Sequence, residues 1–211
     1  MAYEQITTAF INGLFMSLVL IVAIGAQNAY VLRQGLRREH VSAVVLFCAA
    51  SDAILITAGV AGMAQALQGR PVFATALAGL GALFLAAYGL RALWRSRHAG
   101  TLQAAAQGAS LSRAAALAQA AGFTLLNPHV YLDTVLLVGS TGAQYGGSLK
   151  VWFVAGSALA SALWFSALGF GARWLAPVFA RPRAWQMLDA LIGGMMLVLA
   201  AFLARRALLG A

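Results

Sequence analysis

Asp52 and Asp133 are carboxylates set inside long apolar runs, in a chain with only five acidic residues among 211. A charge at membrane depth is costly unless paired or protonated, so such residues mark a cation or proton path by default. Asp52 lies eleven residues past Val41, about 16 Å along a helix axis and near the middle of a bilayer. Asp133 follows Pro128 by five residues. Nearby in the pattern stand neutral partners: Gln27, Asn28 and Asn127 offer amides, Tyr30 and Tyr131 offer hydroxyls, and His129 suits a proton relay or an ordinary packed histidine. This set can hold a cation and exchange a proton. It lacks the marks of an enzyme, with no nucleophile–base signature and no phosphate loop. One His beside one Asp falls short of the three or four ligands zinc requires, so neither metal nor cofactor is expected. The lone Cys48 excludes an intramolecular disulfide, a CxxC redox pair and a thiolate cluster. Glu4, before the first apolar run, and Glu39, among loop arginines, are predicted to be solvated. Asp189, near Arg181 and Arg183, is predicted to be a helix-start charge complementing the dipole.

Two polar interruptions carry most of these groups. Gly25-Ala26-Gln27-Asn28 and Asn127-Pro128-His129 cut into apolar runs about a hundred residues apart. Irregular backbone at membrane depth is tolerated only where protein buries it or a cavity solvates it, and paired breaks point to a transporter's binding site. Pro128 removes a backbone donor and crowds the carbonyl of Thr124, while Asn127 is biased away from helix. The segment beyond can begin a half-helix whose free N–H groups suit a carboxylate. Gly25 and Pro128 are therefore the expected helix-break positions. The plainer alternative is a kinked packing helix with an amide bonded to a neighbour.

The elements that must position these residues are transmembrane helices. The chain is 62% hydrophobic and 9% charged, where soluble domains carry about 25% charged residues. Six apolar stretches, Ile6–Leu32, Val41–Ala66, Val72–Leu93, Ala114–Val138, Val151–Phe170 and Trp185–Leu203, reach or approach the ~20 residues that cross a bilayer. The first lacks a basic cluster and is too long for a signal peptide, so it reads as a retained helix. The net charge of +9 is topological and does not imply nucleic acid. Ten basic residues, from Arg33 to Arg183, follow the odd-numbered spans, against Arg70, Lys150, Arg205 and Arg206 on the other side. That bias places both termini outside the cytoplasm.

An internal repeat is also legible. The Ala-, Gly-, Gln- and Ser-rich stretch Ser96–Ser112 divides the chain into residues 1–95, a cytoplasmic linker 96–112, and residues 113–211. Leu85-Ala86-Ala87-Tyr88 with Arg91 echoes Leu199-Ala200-Ala201-Phe202 with Arg205; Ala50-Ser51 and Gly59 echo Ala160-Ser161 and Gly169; Tyr30 falls near Tyr131. Three spans per half must invert the second half relative to the first. The expected architecture is an all-α membrane protein of six helices, a 3+3 inverted-topology repeat with interrupted first and fourth spans.

Gly25-Ala26-Gln27-Asn28-Ala29-Tyr30-Val31-Leu32-Arg33-Gln34-Gly35, Asp52, and Asn127-Pro128-His129-Val130-Tyr131-Leu132-Asp133 together resemble the lysine/arginine exporter family (LysE/ArgO type) over essentially the whole chain. The resemblance implies a bacterial inner-membrane permease, a homodimer, that exports L-arginine and/or L-lysine by proton antiport through alternating access. It implies substrate contact by Gln27, Asn28, Asp52, Asn127 and Tyr131, and proton coupling by Asp52, Asp133 and His129. Ala26 departs from the proline expected there in many relatives, which predicts a softer first break. Charge arithmetic agrees with exchange. Exporting a substrate of net charge +1 against an inside-negative potential costs about 2.3 kcal/mol per 100 mV, and counter-movement of one proton cancels that charge. The residues alone leave open an exporter of another small amino acid or a metal cation, or a cation channel.

Overall fold

Hydrocarbon gives backbone polar groups no partner but each other, and most of the described residues of this chain are helical. A computed structural model describes residues 2–22, 25–63, 71–97, 110–127, 130–175 and 177–209, and no strand occurs among them. In order they form α1 (Ala2–Ile21), α2 (Ala26–Arg37) and α3 (Val41–Ala58), the last continuing as a π-wound segment, Gly59–Met63. Then come α4 (Pro71–Arg97) and α5 (Arg113–Leu125). A second π-wound segment, Tyr131–Val138, runs into α6 (Gly139–Ala143) and is followed by α7 (Leu149–Gly171) and α8 (Pro182–Leu209). Among the described residues, Tyr3–Ile21, Val41–Gly62, Leu149–Leu175 and Arg183–Arg205 are long and apolar enough to cross a membrane. Most of the linker, residues 98–109, lies outside the described residues.

α4 pairs most extensively with α8, and α1 with α7; α3 packs on α7 and α5, while α2 rests on α7 and α5. Absent side chains let the α1–α7 pair close. A Cβ on Gly13 would run into the Phe153 carbonyl, and one on Gly156 into the Phe10 carbonyl, so each helix lays a glycine on the other's backbone. Ser157 Oγ donates to the carbonyl of Gly13 at 3.1 Å and pins the same crossing.

Both expected interruptions are present. α1 ends at Ile21, and α2 restarts at Ala26 behind Gly25 in an extended conformation (φ −123°, ψ 170°). The first break is therefore complete, against the softer one expected from Ala26. The reason is local: Asn28 Nδ2 donates to the Ile21 carbonyl at 2.6 Å, satisfying one of the acceptors that the end of α1 leaves open. At the second break α5 ends at Leu125, and Tyr131 donates its hydroxyl to the Leu125 carbonyl at 3.0 Å. Each break is thus closed by a side chain from its far edge. Pro128 and His129, which carry a break and a relay expectation, lie outside the described residues.

Candidate functional site

The two breaks open onto one cavity of about 280 Å³. Small-molecule sites begin at about this size. The end of α1 contributes Ser17 and Ile21, and the start of α2 contributes Gly25, Gln27 and Asn28. α3 contributes Asp52, and the second break contributes Asn127. The π-wound segment after it adds Asp133 and Thr134, and α7 adds Ser161. Both membrane carboxylates therefore share a wall with three of the four expected amide and hydroxyl binders. Tyr131 is outside that wall, its hydroxyl being engaged across the break.

Asp52 is buried, 3% exposed, and accepts a hydrogen bond from Ser161 Oγ at 2.9 Å. This contact joins α3 to α7 at the cavity. Asp133 stands on Tyr131–Val138, where Thr134 Oγ1 bonds back to the Val130 carbonyl at 2.5 Å. Back-bonding of this kind loosens a helical turn, and π-winding is frequent at functional sites. The neighbouring π segment of α3 holds Gly62 at φ 105°, a backbone region glycine alone adopts readily.

Tyr30 departs from the sequence-based picture in which its hydroxyl serves the site. It is 1% exposed and turned into an aromatic layer, its ring centroid 5.0 Å from Phe123 and 6.3 Å from Tyr88. Its hydroxyl donates to the Ala116 carbonyl at 2.8 Å and accepts from Gln34 Nε2 at 2.7 Å.

Asp189 requires a larger correction. It is 4% exposed, and its partners are Arg33 and Arg95, not Arg181 and Arg183. Arg33 Nε is 3.1 Å from Oδ1; Arg95 Nη2 is 3.3 Å from Oδ1, and its Nε is 3.4 Å from Oδ2. The Arg95 guanidinium also lies over the Tyr88 ring, 5.5 Å from its centroid. One carboxylate thereby ties α2, α4 and α8 together. The signal was available: Trp185, Asp189, Ile192, Met196, Ala200 and Leu203 recur at helical spacing, and all are buried. Counting the face of the helix, and not the distance from its start, finds Asp189 inside. Glu39 is likewise no free surface charge, since it accepts from Arg37 at 3.0 Å with both side chains 15% exposed.

The LysE type translocator family model matches residues 18–207. A protein of Aeromonas salmonicida provisionally named amino-acid transporter YggA is 44% identical over 200 residues, covering 94% of this chain and 97% of that protein. The arginine exporter protein ArgO of Pectobacterium carotovorum is 37% identical over 196 residues, 93% of this chain and 96% of the relative. ArgO of Yersinia enterocolitica is 37% identical over 199 residues, with 94% and 97% covered. No solved structure matches the chain at a significant level.

Proposed function

This chain belongs to the LysE type translocator family, and we propose that it exports L-arginine and/or L-lysine across a bacterial inner membrane in exchange for protons. Its relatives are named as transporters, not enzymes. One observation carries the substrate class: two intramembrane carboxylates, Asp52 and Asp133, share the wall of one cavity at two helix breaks. A basic amino acid brings two cationic groups and one carboxylate. Two acidic side chains with surrounding amides complement that pattern better than they complement a neutral solute. The same carboxylates serve as proton carriers in this reading, since a carboxyl group on the cavity wall can take up and release a proton. His129 is the remaining relay candidate.

The architecture we infer is six spans in a 3+3 inverted repeat that works by alternating access, in a homodimer with both termini outside. Glycine contacts support the repeat. Overlaying the halves pairs Gly59 with Gly169 and Gly35 with the neighbourhood of Gly139. In space, a Cβ on Gly35 would strike the Gly169 carbonyl, and one on Gly139 would lie 2.6 Å from the Gly59 Cα. Two crossings thus use the same device, as an inverted repeat would require.

Purified protein in liposomes tests the reading. Labelled L-arginine and L-lysine should show saturable counterflow, and an inward proton gradient should drive efflux that a protonophore collapses. Flux that never saturates would assign a channel, and no counterflow of either amino acid would remove the basic-substrate reading.

A further inference from the structure

Two buried aspartates in this chain have opposite kinds of partner. Asp189 meets the guanidinium groups of Arg33 and Arg95, whereas Asp52 meets one neutral hydroxyl, that of Ser161. Among the described residues, the cavity wall around Asp52 carries no arginine or lysine, and Asp133 is its other titratable group. The difference bears on proton exchange. Arginine only donates hydrogen bonds, so it serves a carboxylate and has nothing to offer the O–H of a carboxylic acid. A serine hydroxyl does both. It donates to the ionised form and, by turning about its C–O bond, accepts from the protonated form.

The placement of Ser161 suits that task. It is 1% exposed, stands in the middle of α7 and lines the same cavity as Asp52. A serine inside a helix can bond back to a carbonyl one turn earlier in its own helix. The Ser161 hydroxyl instead crosses to Oδ2 of Asp52 on α3, at 2.9 Å. That bond leaves Oδ1 to a ligand. The two residues also stand in stretches that echo each other in sequence, Ala50-Ser51-Asp52 and Ala160-Ser161.

We propose that Ser161 is a positioning residue, which fixes the Asp52 carboxyl group on the cavity wall in both its charged and its neutral form, so that Oδ1 meets a cationic group of the transported amino acid. This deepens the amino-acid export reading and rests on it. Ser161 itself does not touch the substrate; it acts through Asp52.

Two measurements on the purified protein test the role, and one needs no substrate. Infrared difference spectra against Asp52→Asn isolate the Asp52 bands, the carboxylate at alkaline pH and the carboxyl at acidic pH. Ser161→Ala should move both bands, and Ser161→Thr, which keeps the hydroxyl, should leave them in place. In liposomes, Ser161→Ala should raise the KM for L-arginine counterflow about tenfold with Vmax within twofold, and Ser161→Thr should restore it. Should the extra methyl group prevent folding, Ser161→Cys takes its place; a thiol is a weaker donor, so its KM should fall between those of the parent and Ser161→Ala. Bands that stay put in Ser161→Ala would overturn the proposal. An unchanged KM would also overturn it, and a lower Vmax beside it would assign Ser161 to folding alone. Bands that move as expected, in a protein whose parent shows no counterflow of L-arginine or L-lysine, would overturn the export reading and leave Ser161 as the residue that fixes Asp52.

Discussion

Ser161 holds Asp52 at 2.9 Å in a setting only 3% exposed, so little water is available to replace either partner. Asp52→Asn keeps the volume and deletes the charge. Export should fall to background while membrane levels of the protein stay normal; unimpaired efflux from cells carrying this variant would remove Asp52 from the mechanism. Asp189→Asn should act in the opposite way, on the fold. It strands the Arg33 guanidinium, only 9% exposed, without its carboxylate. Breaking a buried pair from one side costs about 3–5 kcal/mol. Detergent-extracted protein should therefore unfold at lower temperature, and Arg33→Gln combined with Asp189→Asn should recover part of the loss. A single variant as stable as the parent would show that the ion pair is dispensable. Asp52 and Asp133 were legible in the sequence because depth along a span is a matter of counting residues. Asp189 was misjudged because its position near a helix start says nothing about which face it occupies.

Helices here meet through missing side chains, and the glycines differ sharply in what surrounds them. Gly13 and Gly156 lie against the backbone of the partner helix, whereas Gly79 has nothing within 4 Å of where a Cβ would be. Gly13→Ala or Gly156→Ala should separate α1 from α7, cutting the yield of monodisperse protein severalfold by fluorescence-detected size exclusion. Gly79→Ala should match the parent, and would gain slightly from helix propensity. Equal yields for all three would mean that the crossing tolerates a methyl group. The helix ends at Ile21 and Leu125 were readable from the polar residues that follow, Gly25-Ala26-Gln27-Asn28 and Asn127, since polar residues have few other uses in an apolar run. The π-winding was not. Gly59–Met63 and Tyr131–Val138 lie against one another, and no local residue pattern encodes that contact.

Across the whole molecule, the distribution of arginine predicts where the ends lie. Reporter fusions at the termini, and cysteine labelling at Gln103 in the linker, should place the termini outside and the linker in the cytoplasm; a cytoplasmic C-terminus would overturn both the orientation and the inverted repeat. The helix pairings α1–α7 and α4–α8 were beyond reach of the sequence, because Ala- and Gly-rich helices match many partners equally well. Cys48 has a practical consequence at this scale. It is the chain's single cysteine, it is fully buried, and its thiol lies beside the Gln27 side chain. The protein thus carries a built-in stopwatch. A methanethiosulfonate reagent can modify only one atom per chain, and only when the packing around that atom parts. The half-time of modification therefore measures how often that packing parts, and under the proposed export cycle saturating L-arginine should change it severalfold by shifting the balance between conformations. A half-time indifferent to L-arginine would mean that the opening being timed is not the one that moves substrate.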